Sequence, residues 1–197
     1  MPTAKKSDAI TAEEYLNGEL ISEVKHEYVD GKVYAMAGAS VNHNTISVNI
    51  VTEFKMNLRK SPCRPFTSDM KVKTSISNYR YPDVVVVCDD DFIENGYVTQ
   101  TPTILVEVIS RSTRKIDERD KLLEYINIPT LQEYVIIEQD VVDVTVYRKN
   151  DDWHSKHYFL GDEIYFESID LILSVEDIYD RVQNEDVIEF LASKNEQ

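Results

Sequence analysis

Four consecutive valines constrain this chain more than any other feature. In Tyr81-Pro82-Asp83-Val84-Val85-Val86-Val87-Cys88 a proline and an acid lead into the run and an acidic loop follows it. Such a segment reads as a strand buried on both faces. A second run, Thr103–Ile109, has the same character. Between it and the β-rich segment Glu133–Glu138 lies Thr113–Ile126, with Ile116, Leu123 and Ile126 as an apolar line, Leu122 beside it and Pro129 beyond its end. A helix joining two buried strands calls for parallel pairing and for cover on both faces of the sheet. The expected class is α/β (α+β), with a mixed central β-sheet flanked by helices.

The remaining segments fit around that frame. Thr11–Asn17 reads as a short helix behind a hydroxyl cap, and Tyr28–Ala35 as a hairpin turning on Asp30-Gly31. Ser40–Leu58 is a long helix, capped by Ser40 and carrying Ile46, Ile50, Phe54 and Leu58 at four-residue steps. Short strands are expected at Arg64–Thr67, Met70–Thr74, Val141–Tyr147 and Trp153–Phe159, a loop at Asp89–Thr101, and helices at Val175–Arg181 and Glu185–Ala192. The 197 residues suit one domain, with a core over about residues 12–180 and a helical tail over 181–197. Two cysteines, Cys63 and Cys88, are too few for a disulfide framework or a Cys-based zinc site and read as thiols in a reducing compartment. No signal peptide or membrane span is evident, so a cytoplasmic location is expected.

The net charge of −15 argues against generic binding of nucleic acid through a basic surface. The charge is uneven, however. Lys55, Arg59, Lys60, Arg64, Lys71, Lys73 and Arg80 face one acid, Asp69, within their window. That segment is a candidate contact for the DNA backbone or another polyanion. Only five glycines are present, no phosphate-binding glycine loop occurs, and neither a nucleotide cofactor nor a serine nucleophile elbow is indicated.

The residues suited to chemistry are charged ones in apolar settings. Glu107 interrupts a buried strand, where a carboxylate is costly unless it is paired or metal-bound. Asp83 stands at the mouth of the valine strand. Two such acids on adjacent strands repel unless a divalent cation neutralises them, and oxygen ligands suit Mg²⁺ or Mn²⁺. Lys121 shares a helical stripe with Asp117 and Tyr125, where it can hold an attacking water or form an ion pair with Asp117. His43 sits one turn after Ser40, and Glu27 just before the hairpin. Each can be a site residue or a solvated surface group.

Taken in order, Tyr-Pro-Asp83, Val-Glu107-Val-Ile-Ser110-Arg-Ser-Thr113, Asp117 and Lys121 resemble the Uma-type family of restriction endonucleases. So do the upstream Glu27-Tyr-Val-Asp-Gly-Lys and Met-Ala-Gly-Ala-Ser40-Val-Asn-His43. This family belongs to the PD-(D/E)XK nuclease superfamily. The resemblance implies a restriction-endonuclease-like core and Mg²⁺-dependent hydrolysis of DNA, with Mn²⁺ able to substitute. It assigns Asp83 and Glu107 to the metal, with Glu27 as a further ligand, and places His43, Ser110 and Asp117 around the site. The superfamily lysine is expected two residues after the glutamate, but Ile109 stands there, and Lys121 is the matching residue. A homodimer would bring two sites to two strands. The alternative is a non-catalytic binding or assembly module on the same scaffold.

Overall fold

The valine strand lies between a long buried strand and an edge strand in the larger of two six-stranded sheets in a computed structural model, which describes residues 9–74, 77–89, 92–93, 96–110, 114 and 116–195. In chain order the elements begin α1 (Ala12–Glu19), β1 (His26–Val29), β2 (Lys32–Ala35), α2 (Val41–Asn57), β3 (Arg64–Thr67), β4 (Lys71–Lys73) and β5 (Tyr79–Arg80). They continue with β6 (Val84–Val87), β7 (Phe92–Ile93), β8 (Val98–Thr99), β9 (Pro102–Ile109), α3 (Leu122–Tyr125), β10 (Glu133–Glu138) and β11 (Val144–Arg148). The chain closes with β12 (Ser155–Tyr158), β13 (Glu163–Phe166), β14 (Leu171–Ser174), α4 (Val175–Ile178) and α5 (Glu185–Asn195).

The larger sheet runs β12-β11-β10-β9-β6-β3 and the smaller β2-β1-β5-β4-β8-β7. The helical crossover makes β9 and β10 parallel, whereas β6 is antiparallel to both β3 and β9. The sheet is therefore mixed, as the sequence requires. Alternate side chains of its central strands enter two cores. Val84, Val86, Ile104 and Val106 pack under Ile46, Ile50 and Phe54 of α2. On the opposite face Val85, Val87 and Leu105 meet Tyr125, Ile128 and Leu131. All of these side chains are at most 2% exposed, which explains why no polar alternation marks the strands.

Local chemistry explains the amino-terminal elements. Thr11 and Glu14 form a reciprocal capping box at α1. Asp30 and Gly31 both have positive φ, 49° and 78°, the twist that a two-residue hairpin turn needs. Ser40 caps α2 by accepting from the His43 N–H at 3.1 Å.

Several expectations need correction. The segment expected as a loop from Asp89 carries the short strands β7 and β8, which pair with each other. The hairpin of β13 and β14, which the sequence did not lead us to expect, is held by the buried Ile164, Phe166 and Leu173. The second long helix is not one regular α-helix. A π-helical turn, Ile116–Lys121, precedes α3 within it. The wider turn shifts the phase of the helix beyond it, so Tyr125 is fully buried while Leu123 is 57% exposed. The expected start at Thr113 and the side chain of Asp117 lie outside the described residues. Cys63 and Cys88 are not separate thiols but a disulfide. The register that pairs Arg64 with Val87 puts the two cysteines opposite each other one step further along. Among the described residues no helix is long and apolar enough to cross a membrane.

Candidate active site

Register brings the two acids together. Val84 pairs with Val106, so one step beyond it Asp83 stands opposite Glu107 on the neighbouring strand. Directly opposed residues share a face, with Cβ atoms about 5 Å apart. Both line an open groove of about 1080 Å³ across the ends of the strands. His43, from the first turn of α2, reaches the same place, its Nε2 3.2 Å from Asp83 Oδ2. That oxygen also accepts from the backbone N–H of Val108 at 2.8 Å, which ties Asp83 to the Glu107 strand.

Glu107 is only 4% exposed and is met by two partners from the crossover. Lys121 Nζ lies 2.9 Å from its Oε1, and the Tyr125 hydroxyl donates to the same oxygen at 2.9 Å. Four residues apart, Lys121 and Tyr125 share one helical face, and that face meets the sheet at Glu107. Glu27 comes from β1 with its Oε1 3.5 Å from Lys121 Nζ. Its Oε2 accepts from Arg80 at 2.8 Å. Arg80 in turn grips Glu124 at 2.5 and 3.1 Å. The result is a chain of alternating charge, Glu124, Arg80, Glu27, Lys121, Glu107, sunk into the groove wall. Burial pushes the Glu27 carboxyl up, but Lys121 and Arg80 beside it outweigh this and hold it below its ordinary value. Burial pushes Tyr125 well up, with the neighbouring Glu107 adding to the effect, which keeps its hydroxyl a donor. Opposing its own burial, Glu124 and Glu27 keep Arg80 charged.

The structure thus gathers Asp83, Glu107, Lys121, Glu27 and His43, and Ser110 lines the same groove. The basic window does not gather. Lys71 and Arg80 are each 5% exposed, the first donating to the Tyr81 hydroxyl at 3.1 Å and the second ion-paired, so neither is placed to meet a DNA backbone. Lys55 lies about 18 Å along α2 from His43 at ~1.5 Å per residue, with Arg59 and Lys60 beyond it. Arg64 pairs with Val87, about 13 Å along β6 from Asp83. Sequence proximity put these charges in one window, and folding distributed them over a helix end, an edge strand, two interior positions and the half-buried Lys73 at the end of β4.

Arg80 and Glu124 belong to the site, although the sequence alone did not single them out for it. Glu124 follows Lys121 by three residues, a helical neighbour. For Arg80 the available signal was an arginine directly before the buried Tyr-Pro-Asp segment. Among the described residues no three His, Cys, Asp or Glu side chains form a metal cage. The donor set still fits a hard divalent ion. Asp83 and Glu107 offer carboxylate oxygens without a thiol, and Mg²⁺ is commonly held by one or two carboxylates with water and substrate phosphate.

The mixed sheet flanked by helices is a restriction-endonuclease-like fold. The chain belongs to the Uma2 family, whose model, described as "Putative restriction endonuclease", matches residues 12–175. It is 38% identical over 173 residues to the uncharacterized protein slr1290 of Synechocystis, covering 86% of this chain and 91% of that one. A second Synechocystis protein, sll1609, is 35% identical over 143 residues, 71% of this chain and 81% of its own. A crystal structure titled as a "putative nuclease belonging to DUF820" from Anabaena variabilis superposes with a TM-score of 0.74. Its sequence identity is 20%, and the match covers 88% of this chain and 99% of that one.

Proposed function

We propose that the protein is a metal-dependent endonuclease that hydrolyses phosphodiester bonds of DNA. The observation that carries this reading is the placement of Asp83 opposite Glu107 with the Lys121 ammonium 2.9 Å from Glu107. Ile109 occupies the position two residues after Glu107, where the superfamily has its lysine. Lys121 delivers an ammonium group to the same carboxylate from the following helical turn. Only the site of the charge matters to the chemistry, so a lysine from another element can serve.

Asp83 and Glu107 would hold Mg²⁺, with Glu27 bordering them, and Mn²⁺ would substitute. The bound ion would supply charge neutralisation at the scissile phosphate and a lowered pKa for the attacking water. The protein's own groups do the rest. Lys121, held between Glu107 and Glu27, orients a water and donates toward charge developing on the phosphate. His43 and the Val108 N–H fix the Asp83 carboxylate. Tyr125 and the buried Arg80–Glu124 pair keep Glu107, Glu27 and Lys121 in one geometry.

The test is Mn²⁺-supported nicking of supercoiled plasmid, together with titration calorimetry of Mn²⁺. Wild type should nick and bind the ion, whereas Asp83→Ala and Glu107→Ala should do neither. A wild type that takes up no divalent ion would defeat the proposal.

A further inference from the structure

The groove takes its solvent-reachable ammonium from a residue outside the basic window. Lys25, between α1 and β1, lines the groove together with Thr67, Ser68, Asp83 and Glu107. Its Nζ donates to the Ser68 carbonyl at 3.2 Å and to Ser68 Oγ at 3.3 Å, and it pairs with Asp69 Oδ1 at 2.9 Å. The Tyr81 ring supports it from 5.8 Å.

Register locates this lysine relative to the acids. Thr67 pairs with Val84, so Ser68 falls beside Asp83 as Asp83 falls beside Glu107. At about 4.8 Å between strands the three positions form a row roughly 10 Å long across the groove floor. Arg80 and Lys121, which also line the groove, are buried and bound to glutamates. Lys25 differs. Its side chain is 40% exposed and its partner Asp69 is 84% exposed, so the pair is a weak surface bridge that a phosphate oxygen can replace.

We infer that Lys25, with the Ser68 hydroxyl, is a phosphate subsite for the phosphodiester adjoining the one at Asp83 and Glu107. The polynucleotide then crosses the strand ends from β3 to β9 instead of following Lys55, Arg59 and Lys60 at and beyond the end of α2. This inference rests on the nuclease reading and specifies where its substrate is held.

The experiment measures the affinity of an end-labelled oligonucleotide, as single strand and as duplex, by fluorescence anisotropy in Ca²⁺ over a salt series. Plasmid nicking in Mn²⁺ is followed in parallel. Lys25→Gln should lower the salt slope by about one and weaken binding at low salt about tenfold, while Lys25→Arg keeps both near wild type. Asp69→Asn should tighten binding, a gain that misfolding does not produce. The triple change Lys55→Gln, Arg59→Gln, Lys60→Gln should leave the slope unchanged. If Lys25→Gln binds with wild-type slope, or the triple variant loses slope instead, the subsite is refuted while the nuclease reading stands. If wild type neither binds nor nicks, both fail together.

Discussion

Glu107 shows how a single side chain can be costly alone and stable in company. A carboxylate 4% exposed is tolerable here because Lys121 and Tyr125 both meet its Oε1. Removing one partner leaves the rest of a buried network unbalanced. Tyr125→Phe should cost about 1–2 kcal/mol, read as a lower midpoint in urea with unchanged slope. Lys121→Met, which strands Glu107, should cost more, on the order of 3–5 kcal/mol, and Lys121→Met with Glu107→Leu should recover much of it. Glu138 supplies a pH signature. Burial raises its carboxyl from the ordinary 4.5 to about 6, although Arg114 lies 2.7 Å away and pulls it down. A carboxyl that protonates more readily in the folded state stabilises at low pH. Its contribution is complete below 4.5 and lost as the pH rises through about 6, at most about 2 kcal/mol. Glu27 has the opposite sign, since its lowered value contributes stability that is lost as the pH falls. Urea midpoints of wild type and Glu138→Gln across that interval isolate the first effect: the variant should lose the decline. At this scale the sequence marked Glu107 and Asp83 through their apolar surroundings. It marked Arg80 only as one cation of the basic window and not as the partner of Glu27 and Glu124, because burial and partners drawn from β1 and α3 exist only in the folded chain.

At the scale of elements, the legible parts were those set by local rules. The capping box of α1, the Asp30-Gly31 turn and the Ser40 cap are written in neighbouring residues, and the structure has all three. The illegible parts depended on tertiary packing. The apolar line drawn through Leu123 assumed a regular α-helix, whereas the segment contains a π-helical turn that ends at Lys121, the residue that meets Glu107. Deleting the exposed Arg119 should turn this segment toward α-helical phase. The expected outcome is loss of nicking with far-ultraviolet dichroism largely retained, because the sheet does not depend on the turn. Gly31 gives a control away from the site. A Cβ there would lie 2.8 Å from the Ala9 Cβ, on a backbone with φ of 78°. Gly31→Ala should therefore cost about 1 kcal/mol of stability or more, read as a lower thermal midpoint, without altering metal uptake.

Across the whole molecule, charge is organised in a way that composition hides. The chain carries −15, yet its exposed cations at the end of α2 and the acids of the groove lie at different places. The mixed sheet sets that geometry. Antiparallel β6 and β9 place Asp83 and Glu107 side by side, and the parallel crossover to β10 delivers Lys121 over them. An acidic body with such a groove should bind nucleic acid with a shallow salt dependence. Whether Asp83 and Glu107 jointly hold a metal ion is the claim on which the functional account depends. Anomalous scattering from crystals soaked in Mn²⁺ tests it most directly. A peak within coordination distance of carboxylate oxygens from both residues, lost in Asp83→Asn, is the predicted result. A fully soaked crystal with no peak between them, or with manganese bound elsewhere alone, would contradict it.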